Sequence, residues 1–182
     1  MLWDPTQYAK FADHRRRPAI DMLNRIALDS PSVVYDLGAG TGNVTELLAN
    51  RWPNARVIGV DSSEQMLQEA SKREKRIEWQ VGDIGTWLPD QPADLIFTNA
   101  ALHWEFEHHE LFTRLMSSVA QNGVFAIQMP RNFDAPSHTS ITEAVVNGPW
   151  REKLEPLLRP APVEPPDFYI STLSPMTSAL DV

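Results

Sequence analysis

The 182-residue sequence predicts an α/β fold, a doubly wound and mostly parallel sheet with helices on both faces. Three observations carry this expectation. Apolar runs of strand length recur along the chain, with helical spacing between them. The first run leads into a glycine-rich turn that opens into a helix. Each run ends in a polar or acidic residue. Those ends gather on one side of the sheet, where ligands bind in open α/β folds.

Val33 and Val34 open the first strand, which runs into Tyr35-Asp36-Leu37-Gly38-Ala39-Gly40-Thr41-Gly42. Asn43 to Leu48 reads as the helix that follows. Glycines at alternate positions permit φ > 0 and close backbone approach to a ligand. The spacing is not the dinucleotide G-x-G-x-x-G, because Asn43 takes the third glycine's place and Gly42 arrives one residue early. Asp36 would set negative charge beside a pyrophosphate. It suits a ligand carrying an amino group or a sulfonium. The D-x-G-x-G-x-G pattern resembles that of S-adenosylmethionine-dependent methyltransferases, whose sheet is Rossmann-like.

Arg56 to Val60 reads as the second strand, ending at Asp61, about 20 residues past the glycine turn and so spaced to grip both ribose hydroxyls. Ser62 is expected to cap the next helix, with Gln65 completing a capping box. Met66, Leu67 and Ala70 at helical spacing read as core. Ile77, Trp79 and Val81 alternate with polar residues as a third strand, followed by Gly82-Asp83-Ile84. Asp94 to Phe97 is a continuous apolar fourth strand ending in Thr98-Asn99. A helix is expected over Leu111 to Val119 and a fifth strand over Gly123 to Met129. The methyltransferase resemblance implies that Asp83 accepts from the adenine amine and that Ile84 lies against the ring.

Composition narrows the function classes. The content is 42% hydrophobic and 22% charged, ordinary for a globular domain, and the length suits one domain. No apolar run spans a bilayer, and no secretory h-region is present. The chain has no cysteine, which excludes disulfides, thiolate nucleophiles and thiolate-ligated metals and agrees with a cytoplasmic location. A net charge of -8 argues against a nucleic acid partner. His103/Glu107 and Glu105/His109 are i, i+4 pairs of metal-ligand types, but they match no fixed ligand motif, so no metal is expected.

The N-terminus is the exception in this acidic chain. His14-Arg15-Arg16-Arg17-Pro18 concentrates positive charge at a helix start, where cations are disfavoured and Pro18 suits the first turn. Arginines there make sense if they face an anion, since they hold carboxylates bidentately.

Several motifs recur together in one family: Trp3-x-Pro5-x-x-Tyr8-x-x-Phe11, Arg15-x-Arg17-Pro18-Ala19, Asp36-x-Gly38-x-Gly40, Gly59-x-Asp61-Ser62-Ser63, Asn99-Ala100-x-Leu102-x-Trp104, Gln128-Met129-Pro130-x-Asn132 and Pro136-x-His138. In order and with few gaps from residue 3 onward, the chain resembles the trans-aconitate 2-methyltransferase family. The resemblance implies transfer of a methyl group from S-adenosylmethionine to a carboxylate of trans-aconitate or a similar small polyacid. It implies cofactor contacts from Asp36, Gly38, Gly40, Gly42, Asp61, Ser62, Asp83, Ile84 and Asn99. Substrate contacts would come from Arg15, Arg17 and Arg131, with Tyr8 and His103 beside them and Trp104 as a wall. No catalytic base is expected, because a carboxylate is already ionised at neutral pH. The segments divide as 1–30 (substrate-side helices), 31–130 (cofactor core) and 131–182 (substrate-side cover).

Members often carry Cys-Gly-Pro-Gly where this chain has Ala39-Gly40-Thr41-Gly42, Gln where it has His103, and Asp where it has Arg131. The last two changes are expected to add positive charge near the acid. Past residue 150 a proline-dense stretch, Pro156 to Pro166, is expected to be extended, and Asp167 to Leu173 a short helix. Ser178 to Val182 reads as the beginning of a sixth strand. The resembled fold normally has two strands beyond the fifth, so the sequence is expected to be a shortened form with an unprotected edge that binds cofactor but turns over poorly. Two alternatives remain at this stage: a methyltransferase for another small molecule, and a non-catalytic S-adenosylmethionine-binding module.

Overall fold

The computed structural model describes residues 12–158 and 161–182, and the side chains of residues 12–15 lie outside that description. Helix α1 (Ala12–Arg25) precedes strand β1 (Val33–Leu37). Then come α2 (Thr45–Arg51), β2 (Arg56–Asp61), α3 (Glu64–Arg73), β3 (Glu78–Val81), β4 (Ala93–Asn99), a 3-10 turn (Leu102–Trp104), α4 (His108–Ser117) and β5 (Val119–Gln128). Helices α5 (Pro136–Asn147), α6 (Arg151–Leu154) and α7 (Pro166–Leu173) follow. The sheet order is β3-β2-β1-β4-β5. All four pairings are parallel. The strands therefore share one carboxyl edge, as their polar endings predict.

The sheet is buried because its strands are apolar on both faces. On one face Val33, Tyr35, Leu37, Ile58, Val60 and Ile96 pack with Leu111, Phe112 and Leu115 of α4 and Leu173 of α7. On the other, Val34, Val57, Leu95 and Phe97 pack with Leu48 of α2, Trp52, and Ala19 and Leu23 of α1. Each fully buried aliphatic side chain stabilises the fold by about 1.5–3 kcal/mol. The register pairs Leu37 with Val60 on one side and Thr98 on the other. The loops after β1, β2 and β4 thus leave the sheet side by side.

Five local expectations need correction. Pro18 lies inside α1 rather than in its first turn. The cap of α3 is Ser63, whose side chain accepts from the Met66 amide, and not Ser62. The helix starts a residue later because Asp61 Oδ1 already accepts from the Ser63 amide at 2.8 Å. Met66 is 46% exposed while Leu67 and Ala70 are buried. Ser178 to Val182 form no strand. In the proline-dense stretch, Glu155–Leu157 makes a 3-10 turn, and 161–165 carry neither helix nor strand.

Candidate cofactor and acid site

The loop between β1 and α2 is fastened to β2. The Gly38 and Ala39 amides donate to Val60 O at 2.9 and 3.0 Å, and the Gly40 amide donates to Asp61 Oδ2 at 2.8 Å. With its other oxygen on Ser63, the Asp61 carboxylate is oriented at both ends. Gly38, Gly40 and Gly42 have φ of 78°, 55° and 80°, so the backbone itself calls for glycine at all three.

The space around them differs. A Cβ on Gly38 would collide with the Ala101 side chain, and one on Gly42 would stand 2.6 Å from Trp79 Cη2. Of the three, Gly40 faces open space, with Met66 Sδ the one neighbour among the described residues, at 3.9 Å. Gly38 and Gly42 thus pack the protein against itself, while Gly40 leaves room for a ligand. Gly59 does the same structural work, since a Cβ there would lie 2.5 Å from Trp79 Cζ3. The sequence reading assigned all three loop glycines to ligand approach. Trp79, twenty residues past Gly59, carries no local signal of this role.

Asp36 is the deepest charge-bearing group of the site, only 2% exposed. Burial pushes its carboxyl up to about 7. The hydroxyl of Thr45, which donates at 2.6 Å, works against this, and nearby Asp61 adds to it. Asp83 is exposed and accepts from the Gly85 amide at 2.8 Å, while Ile84 is buried against the Gly38 turn. Arg114 of α4 sets this loop by donating to the carbonyls of Ile84 and Gly85, at 2.9 and 2.7 Å, and to that of Trp87. Glu105 stands close to Gly85, and burial followed by Asp83 raises its carboxyl above the usual range. The sequence reading missed both residues. Arg114 looks like any surface arginine of an amphipathic helix.

The end of β4 leaves polar atoms unpaired. Among the described residues, Thr98 Oγ1, Asn99 Oδ1 and His103 Nδ1 are buried without a hydrogen-bond partner, a state that is costly unless a ligand completes it. His103 was expected to bring positive charge. Instead, burial and then the neighbouring His108 lower its pKa, so the imidazole is neutral at pH 7. Its ring lies 4.7 Å from that of Trp104, which is 75% exposed. His108 is fixed by Leu102 O and the Tyr169 hydroxyl, which ties α7 to the turn carrying His103.

The arginines divide unevenly. Tyr8 lies outside the described residues, as does the Arg15 side chain. Arg17 has its side chain 81% exposed, 3.6 Å from Asp21, and Arg131 and Ser62 are exposed. It is Arg16 that reaches the glycine loop, donating to Asn43 Oδ1 at 2.8 Å. The structure therefore brings together Asp36, Gly38, Gly40, Asp61 and Ile84. It leaves Arg17 and Arg131 facing solvent.

A family model described as a methyltransferase domain matches residues 34–123. A trans-aconitate 2-methyltransferase of Azoarcus sp. (strain BH72) is 44% identical over 180 residues, covering 99% of this chain and 70% of that protein. The chain belongs to the trans-aconitate 2-methyltransferase family. Among solved structures, a DhpI complex with SAM and HEP is 26% identical, covers 66% of this chain and 56% of its own, and has a TM-score of 0.55. The Haemonchus contortus phosphoethanolamine N-methyltransferase 2 in complex with S-adenosyl-L-methionine covers 88% of this chain and 36% of its own at a TM-score of 0.65. At 16% identity it speaks for the fold alone.

The residues of this family member fit a cationic adenosyl ligand. Gly40 offers an open backbone, Asp36 a buried carboxyl waiting for positive charge, and Asn99 an unpaired acceptor on the same edge. Among the described residues no helix is long and apolar enough to cross a membrane.

Proposed function

We propose that this chain transfers a methyl group from S-adenosylmethionine to a carboxylate of trans-aconitate or a similar small polycarboxylic acid, giving a monomethyl ester. The observation that carries the reading is the 44% identity, over nearly the whole chain, to an enzyme of that name. The cytoplasm is the location this reading expects.

When bound, S-adenosylmethionine supplies a methyl carbon activated by a sulfonium, which departs as a neutral thioether. Around it, Asp36 and Asp61 offer negative charge to the cationic donor, and Asp61 takes the ribose hydroxyls while Ser62, Gly40 and Asn99 line the rest of its bed. Asp83 accepts from the adenine and Ile84 lies against it. The acid is ionised at neutral pH, with a reference pKa near 4, so no side chain has to remove a proton. The protein's task is to align the carboxylate oxygen with the methyl carbon. Positioning of this kind supplies on the order of 7–11 kcal/mol. Arg15, Arg17 and Arg131 hold the acid's carboxylates, with Tyr8 beside them and Trp104 as a wall. Neutral His103 hydrogen-bonds the acid through the nitrogen that now lacks a partner.

The test is to incubate the protein with methyl-labelled donor and a panel of mono-, di- and tricarboxylic acids, then look for labelled ester by mass spectrometry. Label in a tricarboxylic acid is expected. Label in none of the acids, with donor binding intact, would refute the reading.

A further inference from the structure

Several structural elements meet at one side chain in the glycine loop. Asn43 Oδ1 accepts from Arg16 Nη2 of α1 at 2.8 Å and from Arg73 Nη1, at the end of α3, at 2.7 Å. Asn43 Nδ2 donates to Thr41 Oγ1 at 3.0 Å. Arg73 also pairs with Glu46 of α2 at 3.0 Å. Two guanidiniums share a neutral acceptor, with a single carboxylate beside them. Both lone pairs of the amide oxygen are used, so the amide cannot turn without losing two charge-assisted hydrogen bonds. Its NH2 is thereby aimed at Thr41. Thr41 lies between Gly40 and Gly42, both in the left-handed region, where the chain has least stiffness of its own.

We infer that Arg16 is a positioning residue for the cofactor loop. Through Asn43 and Thr41 it fixes the conformation in which Gly40 presents open backbone. Because Arg16 belongs to α1, it also ties the helix that carries Arg15 and Arg17 to that loop. Ordering one then favours ordering the other, reciprocally. The role is independent of which acid is methylated. It gives a role to the arginine between Arg15 and Arg17, to which the sequence reading assigned no contact.

Isothermal titration with S-adenosylhomocysteine tests this in the full chain, using Arg16→Ala, Asn43→Ala and the double variant. Arg16→Ala should weaken binding roughly tenfold, about the weight of one charge-assisted hydrogen bond. Asn43→Ala should weaken it at least as much. The double variant should bind like Asn43→Ala, because Arg16 acts through Asn43. Additive losses would mean that Arg16 meets the ligand directly, and they overturn the inference. So does an Arg16→Ala affinity within twofold of the parent, or a loss that Asn43→Ala does not share. Thr41→Val keeps all three partners and removes only the terminal acceptor, so it serves if Arg16→Ala fails to fold. A severalfold weaker affinity supports the relay, and an unchanged one overturns it.

Discussion

Asp36→Asn separates what the buried carboxylate does for the fold from what it does for the ligand. In the folded protein Asp36 titrates at about 7, against an ordinary 3.8, chiefly because it is buried. Folded protein therefore keeps this proton over a range where unfolded chain has lost it. The sign follows: Asp36 makes stability fall as pH rises through that window, and the loss is complete above about pH 7. The whole gap corresponds to about 4 kcal/mol, of which about 3 develops between pH 5 and pH 8. For a domain of this size that is roughly 6–12 °C in melting temperature. Asparagine keeps the oxygen that Thr45 donates to but cannot ionise. Melting curves of ligand-free parent and variant, taken from pH 5 to pH 8, should diverge in favour of the variant as pH rises. The variant should bind S-adenosylhomocysteine more weakly at pH 8. Parallel melting curves would refute the reasoning, since Asp36 would then not change charge in this range.

Three further outcomes follow from the site. Gly59→Ala should destabilise by about 1–3 kcal/mol, as overpacking does, because its Cβ meets Trp79; Gly40→Ala, with open space around it, should lose more ligand affinity than melting temperature. Asp61→Ala leaves the Gly40 and Ser63 amides without their acceptor and should cost about 1–3 kcal/mol of S-adenosylhomocysteine binding by calorimetry. Arg17→Ala should raise KM for a polyacid severalfold while leaving calorimetric affinity for S-adenosylhomocysteine unchanged, and a fall in that affinity would remove Arg17 from the acid site.

The sheet was legible because each strand writes its own signal, an apolar run closed by a polar residue. Parallel pairing then forces Asp36, Asp61 and Asn99 to one edge. What failed to show was whatever depends on how a helix docks. Successive helical residues stand about 100° apart, so no local pattern says which of Arg15, Arg16 and Arg17 turns to the loop, nor that Met66 faces outward beside Gly40. The glycines carried an ambiguous signal too. Positive φ at Gly42 and Gly38 could be foreseen, but not that Trp79 and Ala101 fill the space a Cβ would need. The lowering of the His103 pKa depends on burial and on His108 five residues on, neither of which the residue type shows. The strand expected over Ser178 to Val182 rested on a family pattern rather than on alternation in those residues, and the chain there is irregular.

The most direct measurement is a crystal structure of the chain with S-adenosylhomocysteine and trans-aconitate. In it the ribose is expected at Asp61, the sulfur end over Gly40 on the Asp36 side, and a carboxylate of the acid within hydrogen-bond reach of His103 Nδ1. An adenosyl group away from Gly40, or an acid bound with His103 Nδ1 still unpaired, would contradict that expectation.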